Sequence, residues 1–319
     1  MAALPSFAQD LGDGIVAIDT GFHRPLFDAA YLVVENGRAA FVDSGTNFGV
    51  PRLLAALEAL GLARDAVDYV IPTHVHLDHA GGVGLLMRSL PRAKAIVHPR
   101  GARHMIDPSA LVAGATAVYG EAEIARSYGS IVGVDAARVR ESCDGMTIEL
   151  AGRPLQLIDT PGHARHHHCV WDARTKGFFT GDTFGLSYRE FDTAQGPWLL
   201  PTTTPVQFEP DRLRESVQRL LSYRPECMYL THYGRVRDVQ RLGASLLEQL
   251  DRLVAIGRAL KSAPDRHAAL ERALRDEYLA IAAARGCRLG EDETMQLLGM
   301  DVTLNAQGIA VWLDREAAA

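Results

Sequence analysis

Three histidines and an aspartate crowd into residues 73–82, which read THVHLDHAGG. Imidazole nitrogens and carboxylate oxygens are ligands that zinc, iron and manganese accept in proteins. Side chains alternate along an extended segment, so His74 and His76 should point to the same side. As the chain turns into a helix, Asp78 and His79 can face a neighbouring point. This loop therefore predicts two adjacent half-sites for metal ions.

The segments around this loop predict how it is held. Residues 66–74, AVDYVIPTH, form an apolar run typical of a buried strand, and residues 80–90 open a helix on small residues. Three further candidates, His163, Asp182 and His232, each follow a short β-type run and precede a turn. If those strands are neighbours in two sheets, all these strand ends converge on one edge.

The rest of the chain predicts a β-rich first part and a helical last part. Helical spacing of leucines predicts helices near residues 50–61, 211–223 and 239–260, and a further helix with Leu270, Leu274, Tyr278 and Ile281 on one face. The run GIAVWLD, residues 308–314, is interpreted as a last strand. We place a boundary near residue 236, which gives predicted domains 1–236 and 237–319.

Composition excludes several classes of protein. The 319 residues are 47% hydrophobic and 23% charged, with a net charge of −6, which argues against a broad surface for nucleic acid or anionic membranes. No apolar run is long enough to span a membrane, and the first residues do not resemble a secretory signal. The four cysteines form no CxxC pair, which favours reduced thiols and a cytoplasmic location.

The pattern as a whole resembles the metallo-β-lactamase superfamily, whose signature is a (T/S)HxHxDH loop followed by later His, Asp and His ligands. The runs FVDSG, DTPGH and TGD also match, and the resemblance covers residues 12–235. It implies an α/β fold, an αββα sandwich with metals at the edge between the sheets. The predicted C-terminal helices then form an extension. The pattern consists of His74, His76, Asp78, His79, His163, Asp182 and His232.

The resemblance also implies a role for each ligand. One ion would take His74, His76 and His163, and the other would take Asp78, His79 and His232. Asp182 would bridge them. Two divalent ions are expected, zinc first, with iron or manganese as alternatives.

Such a centre would use a bridging hydroxide as the nucleophile, with Asp78 among the catalytic residues. Two divalent ions offset by two carboxylates and one hydroxide leave about one positive charge, which favours a developing oxyanion. Related lactonases place a tyrosine soon after the bridging aspartate. Here the third residue beyond Asp182 is Gly185, and Tyr188 is an approximate substitute as an oxyanion donor.

The leading hypothesis is a dinuclear hydrolase of an ester, thioester or lactone. The alternatives are a mononuclear iron persulfide dioxygenase, a phosphodiesterase or ribonuclease Z-like nuclease, and a binding protein with a degenerate site. A small-molecule substrate is expected, without nucleic acid or membrane, and the striped C-terminal helices are compatible with a homodimer.

Several nearby residues keep two interpretations each. Asp43 is either an acceptor behind the ligands or a turn residue, and His167 either orients a ligand or is a strand residue. His98 lines the pocket or is structural. The aromatic side chains that follow Asp182 wall a pocket or belong to the core; they are Phe184, Tyr188, Phe191 and Trp198.

Overall fold

A computed structural model describes residues 3–203 and 206–318, which fall into two compact units. The first unit comprises Met1–Asp159, His166–Gly181 and Pro225–Arg237. The second comprises Thr160–Arg165, Asp182–Arg224 and Asp238–Ala319. The division into domains 1–236 and 237–319 stays a prediction.

The first unit contains a seven-stranded sheet in the order β1-β2-β3-β4-β5-β6-β7. Strands β1 to β4 form an antiparallel meander, and β4 to β7 run parallel to one another. The short edge strands β1 and β7 were not predicted from the sequence. The strands are β1 Ala8–Gly12, β2 Ile15–Asp19, β3 Ala29–Glu35, β4 Arg38–Val42, β5 Val67–Ile71, β6 Lys94–Val97 and β7 Val139–Glu141.

A second, six-stranded sheet of the same unit has the order β13-β12-β11-β10-β9-β8. Its strands are antiparallel except that β11 and β12 are parallel. The strands are β8 Thr147–Leu150, β9 Arg153–Asp159, β10 His168–Asp172, β11 Gly177–Gly181, β12 Cys227–Leu230 and β13 Gly234–Val236.

Two apolar layers hold the first unit together. One lies between the sheets and joins Tyr31 and Val42 of the first sheet to Leu157 and Phe179 of the second. The other packs the outer face of the first sheet against helices. These helices are α1 Val50–Ala59, α2 Leu77–Ala80, α3 Val83–Ser89, α4 Pro99–Ile106 and α5 Ser109–Tyr119. Helix α6 Glu121–Ser127 follows α5 in the chain.

The second unit carries the remaining helices, which are α7 Pro210–Ser222, α8 Val239–Ala259, α9 Arg266–Ala284 and α10 Glu291–Ala318. Leu270, Leu274 and Tyr278 are buried on α9 as predicted, and Ala282 takes the place expected for Ile281. The predicted mixed α/β fold, with two sheets and a C-terminal helical region, is confirmed.

The prediction of a last strand at GIAVWLD is wrong, because this run lies inside α10. The buried residues of α10 include Leu298, Val302, Ile309 and Leu313, which recur at helical spacing. Seven residues that include isoleucine, valine and tryptophan cannot distinguish a buried strand from about two turns of a long helix.

Strand direction explains how the first unit assembles a site. The parallel strands β4, β5 and β6 end at the same edge of their sheet. Strands β9 and β11 both run antiparallel to β10, and β12 is parallel to β11, so these three also end together. At this edge Thr231, just after β12, donates to Asp43, just after β4, at 2.8 Å. The carboxyl ends of both sheets therefore meet.

No helix among the residues that the structure describes is both long and apolar enough to cross a membrane.

Candidate metal centre

The loop from Thr73 to His79 connects β5 to α2 and brings its histidines together as predicted. His74 Nε2 and His76 Nδ1 lie 2.9 Å apart. The rings of His74 and His79 are 4.0 Å apart, and both side chains are buried. His76 is the extended N-cap residue of α2, so the chain changes there from strand to helix, and Asp78 and His79 lie in the first turn of that helix. The loop thus offers two adjacent groups of ligand atoms.

Asp43 fixes this loop from behind. Its carboxylate accepts hydrogen bonds from the Thr73 amide at 2.7 Å and from Thr231 Oγ1 at 2.8 Å, and it contacts His79 Nδ1 at 3.0 Å. Asp43 is buried and has a positive φ of 58°. A carboxylate on Nδ1 sets the tautomer that leaves Nε2 as the coordinating atom. These contacts support the interpretation of Asp43 as an acceptor behind the ligands.

Asp78, His79 and His232 form a three-residue group within the first unit, and one ligand atom of each lies within 4.8 Å of the others. Asp78 Oδ2 is 3.5 Å from His232 Nε2 and 3.8 Å from His79 Nε2. His232 Nδ1 lies 3.0 Å from the carbonyl oxygen of Phe27, which directs its Nε2 toward Asp78. Two imidazoles and a carboxylate in this arrangement fit a divalent ion with ligand distances of about 2 Å.

The other two predicted ligands, His163 and Asp182, belong to the second unit and contact each other. His163 Nε2 is 3.4 Å from Asp182 Oδ2, and both side chains are buried. Helix α7 packs closely against the turn before His163. A Cβ added at Gly162, where φ is 131°, would lie only 2.2 Å from the backbone nitrogen of Leu213 in α7. Glycine is required there for the close approach.

The histidines that follow His163 surround the ligand loop. The His167 ring stacks on that of His74 with centroids 4.8 Å apart. His166 Nδ1 lies 3.5 Å from the Val75 amide, and burial, followed by the nearby charge of His76, lowers the pKa of His166 to about 3. The His166 ring is therefore uncharged near neutral pH, and both rings pack against the ligand loop.

His98 and His168 take structural partners at neighbouring strand ends. His98 Nε2 lies 3.0 Å from Asp159 Oδ1, and its Nδ1 accepts the Arg100 amide at the start of α4. His168 Nδ1 lies 2.9 Å from Ser142 Oγ. The structural interpretation of His98 is thus supported.

The aromatic residues after Asp182 lie within the second unit. Phe184, Phe191 and Trp198 are buried, and Trp198 Nε1 donates to Gln249 at 2.7 Å, so they form core. The Tyr188 hydroxyl donates to Asp301 Oδ1 at 3.1 Å. Its role as an oxyanion donor stays a prediction.

Sequence reasoning missed the loop between β2 and β3. Asp28 is fully buried and accepts from Thr20 Oγ1 at 2.7 Å, and burial, opposed by His232 and His79, raises the pKa of Asp28 to about 7. His23 has a positive φ of 53°, and burial lowers its pKa while Glu123 and Asp78 oppose that shift. The signal was a carboxylate set directly before the apolar strand AAYLVV, with a histidine five residues earlier.

Two layered sheets with histidines and aspartates at their shared edge define the class of fold. A model of the metallo-beta-lactamase superfamily matches residues 23–232, and the chain belongs to this superfamily. Members are metal-dependent proteins, and the described residues include His and Asp groups that could hold an ion.

Three similar proteins illustrate the kinds of superfamily member that this chain resembles. The metallo-beta-lactamase fold-containing protein ST1585 of Sulfurisphaera tokodaii is 30% identical over 54% of this chain and 62% of its own length. Its crystal structure superposes with a TM-score of 0.65 at 21% identity, covering 93% of this chain and 98% of that one. The hydroxyacylglutathione hydrolase of Acidiphilium cryptum is 34% identical, covering 63% of this chain and 62% of that protein. The acyl-coenzyme A thioesterase MBLAC2 of Bos taurus is 28% identical, covering 57% of this chain and 68% of that protein.

Proposed function

We propose that this chain is a metal-dependent hydrolase of an ester, thioester or lactone, and that its seven predicted ligands share one dinuclear centre. The observation that carries the proposal is the group of Asp78, His79 and His232, with a backbone or carboxylate oxygen behind each imidazole. Such partners orient metal-binding histidines and raise their basicity.

Chain connectivity supports the inclusion of Asp182. Asp182 directly follows Gly181, the last residue of β11. Gly181 pairs with Leu230 of β12, and Leu230 precedes His232 by two residues. A Cβ on Gly181 would lie 2.6 Å from Thr73 Oγ1 and from His167 Nε2. The backbone at Gly181 therefore lies close to Thr73 at the start of the ligand loop, and we expect Asp182, the next residue, to reach both half-sites.

The same reasoning supports His163. The segment 160–165 leaves the sheet after Asp159 and returns at His166, whose ring meets that of His76 with centroids 5.4 Å apart. The amide of His168 donates to the Thr73 carbonyl at 2.9 Å. Because this six-residue segment leaves and rejoins the sheet beside the ligand loop, we expect His163 to lie close to that loop.

The proposed chemistry divides between the ions and the side chains. A pair of divalent ions lowers the pKa of bound water and polarises a carbonyl oxygen. Asp78, with 26% of its side chain exposed, would accept a hydrogen bond from the attacking water and orient it. Buried His74, His79 and His163 exclude other water. We propose Tyr188 as a donor to the developing oxyanion, a role for which its hydroxyl must leave Asp301.

The relatives favour acyl transfer to water over the alternatives. One bears the name of a thioesterase and another that of a hydroxyacylglutathione hydrolase. We propose zinc as the metal, a small-molecule substrate, and a cytoplasmic location, since all four cysteines are free thiols. Elemental analysis of protein purified without added metal separates zinc from iron or manganese.

A test of the shared centre is Asp182→Ala, analysed for bound metal and for hydrolysis of a panel of esters, thioesters and lactones. We expect two ions per chain to fall to one or none, and kcat/KM to fall at least 100-fold. The control is Asp276→Ala, which changes a carboxylate that is 75% exposed on α9. Retention of both ions and full turnover in Asp182→Ala would refute the proposal.

A further inference from the structure

We propose that the substrate of this centre carries an apolar acyl chain, which lies along a surface that we call the apolar wall. The inference rests on the proposed hydrolase function and adds a substrate class to it. The wall is made by the loop between β2 and β3, by α5 and α6, and by one residue of the ligand loop. Phe22, Leu77 and Ile124 form its buried base, and Phe27, Val112 and Ala115 are its partly exposed members, on which the chain would lie.

The wall is an apolar cluster separate from the two main layers of the first unit. Phe22 links the region after α6 to the loop between β2 and β3. Its ring centroid lies 5.4 Å from that of Tyr128, the residue after α6, and 5.9 Å from that of Phe27 in the loop. Leu77 also belongs to it and stands between the ligands His76 and Asp78. The cluster therefore begins inside the metal-binding loop itself.

Phe27 connects the wall to a second ligand. Its ring meets that of His232 edge-on with centroids 5.3 Å apart, and its carbonyl oxygen holds His232 Nδ1. An apolar group placed against Leu77 and Phe27 would thus have its end next to both Asp78 and His232.

Helix α5 has the composition of a binding surface. None of its eleven residues, SALVAGATAVY, is charged, although Val112 and Ala115 are only partly buried and Ala113 and Ala117 are exposed. A helix whose outer face meets only water normally carries charged residues there. Contiguous exposed apolar surface marks a site of interaction.

Other exposed hydrophobic side chains flank the same region. Among the described residues five large hydrophobic side chains are exposed, and Leu26, Phe48 and Ile106 are three of them. Leu26 lies in the loop between β2 and β3, and Ile106 ends α4 just before α5. A Cβ at Gly129, after α6, would lie 3.3 Å from the Phe48 ring.

The size of the surface favours a substrate chain over a second copy of the protein. Helix α5 is about 16 Å long at 1.5 Å per residue, whereas a stable dimer buries about 800 Å² on each partner. A wall of this length, two of whose members, Leu77 and Phe27, adjoin proposed metal ligands, fits a linear chain whose carbonyl group would sit at the ions.

The direct test is binding of hexanoate, octanoate and decanoate to the purified, metal-loaded protein, measured by titration calorimetry. The carboxylate is constant through the series, so only the contribution of the alkyl chain changes. We expect Kd to fall about two- to fourfold for each added methylene group. Val112→Asn and, as a milder change, Ala115→Asn should flatten this dependence. Met300→Asn, an exposed apolar position on α10, should preserve it.

A parallel series of thioesters, from acetyl to decanoyl on one leaving group, separates the two proposals. A chain-length dependence in binding without hydrolysis would support the wall and refute the proposed function. Hydrolysis in which neither kcat/KM nor Kd depends on chain length would overturn the wall. Conversion of a dimer to a monomer by Val112→Asn, with the chain-length dependence intact, would also overturn it and assign the surface to a second copy.

Discussion

The Asp43 carboxylate contacts Thr73, His79 and Thr231 at the same time. It therefore connects the ligand loop to the end of β12, which is distant from it in sequence. Replacement by asparagine keeps the shape and removes the negative charge that supports the His79 imidazole. We expect Asp43→Asn to weaken metal binding about 10- to 100-fold. Competition with a chromogenic chelator measures this, with Asp68→Asn at the partly exposed ion pair with Arg38 as control. An unchanged metal affinity would show that Asp43 does not tune the ligand.

Buried His168 should make the folded chain less stable in acid. His168 is buried, and this burial, followed by the nearby charge of His98, lowers its pKa to about 3. The unfolded chain takes up a proton below its pKa of about 6.5, while the folded chain does not until about 3. Its contribution to stability is therefore complete above pH 6.5 and is lost as pH falls toward 3.

The slope expected from one such histidine is about 1.4 kcal/mol per pH unit. Urea unfolding in the presence of chelator, at several pH values between about 7 and 4, should show a flatter dependence for His168→Gln than for the wild type. The exposed His267→Gln is the matched control. Parallel profiles for His168→Gln and wild type would contradict the assignment.

At this scale the sequence predicted the ligand loop well, because alternation and strand-end placement depend on local rules. The position of Asp28 directly before an apolar strand was visible, but its raised pKa was not, because that depends on burial and on His79 and His232, which are far away in sequence. Nor could it show that the Tyr188 hydroxyl bonds to Asp301, since that contact spans over one hundred residues.

At the scale of elements, α10 passes close to the segment around Thr203. A Cβ at Gly308 would lie 1.4 Å from the Thr203 carbonyl oxygen, and neighbouring Asn305 accepts the Thr203 amide at 2.7 Å. Gly308→Ala must displace this backbone, and we expect a loss of about 3 kcal/mol or more in the free energy of unfolding.

Gly299→Ala provides the matched control on the same helix, because nothing lies within 4 Å of its added Cβ. There the higher helix propensity of alanine should stabilise the protein by up to about 1 kcal/mol. Chemical denaturation measures both variants. Equal stability of the two variants would contradict the close approach.

The elements were predicted unevenly. Long segments with clear helical spacing, such as α1, α7, α8 and α9, were found because periodicity over several turns is specific. The edge strand β1 was missed, since only two of its five residues, Ala8 and Leu11, are apolar. The apolar run 308–314 was misassigned, because seven residues carry too little periodicity to reveal the rest of α10.

At the scale of the whole molecule, the proposed centre takes five ligands from the first unit and two from the second. Ion binding should therefore stabilise the folded chain as a whole. Free metal at 100 times its Kd adds about 2.7 kcal/mol, so removal by a chelator should lower Tm by several degrees.

A reductant serves as the control in the same thermal scan. All four cysteines are free, so dithiothreitol at concentrations that do not bind the metal should leave Tm unchanged. A Tm that responds to reductant and ignores the chelator would contradict both the free thiols and the metal centre.

Anomalous scattering from crystals of the metal-loaded protein, collected at the absorption edge of the bound metal, tests the shared centre most directly. We expect two anomalous peaks, one for each metal ion, about 3.5–4 Å apart. One should be bound by His74, His76 and His163, the other by Asp78, His79 and His232, with Asp182 touching both. A single peak, or two peaks in separate places with Asp182 at neither, would contradict it.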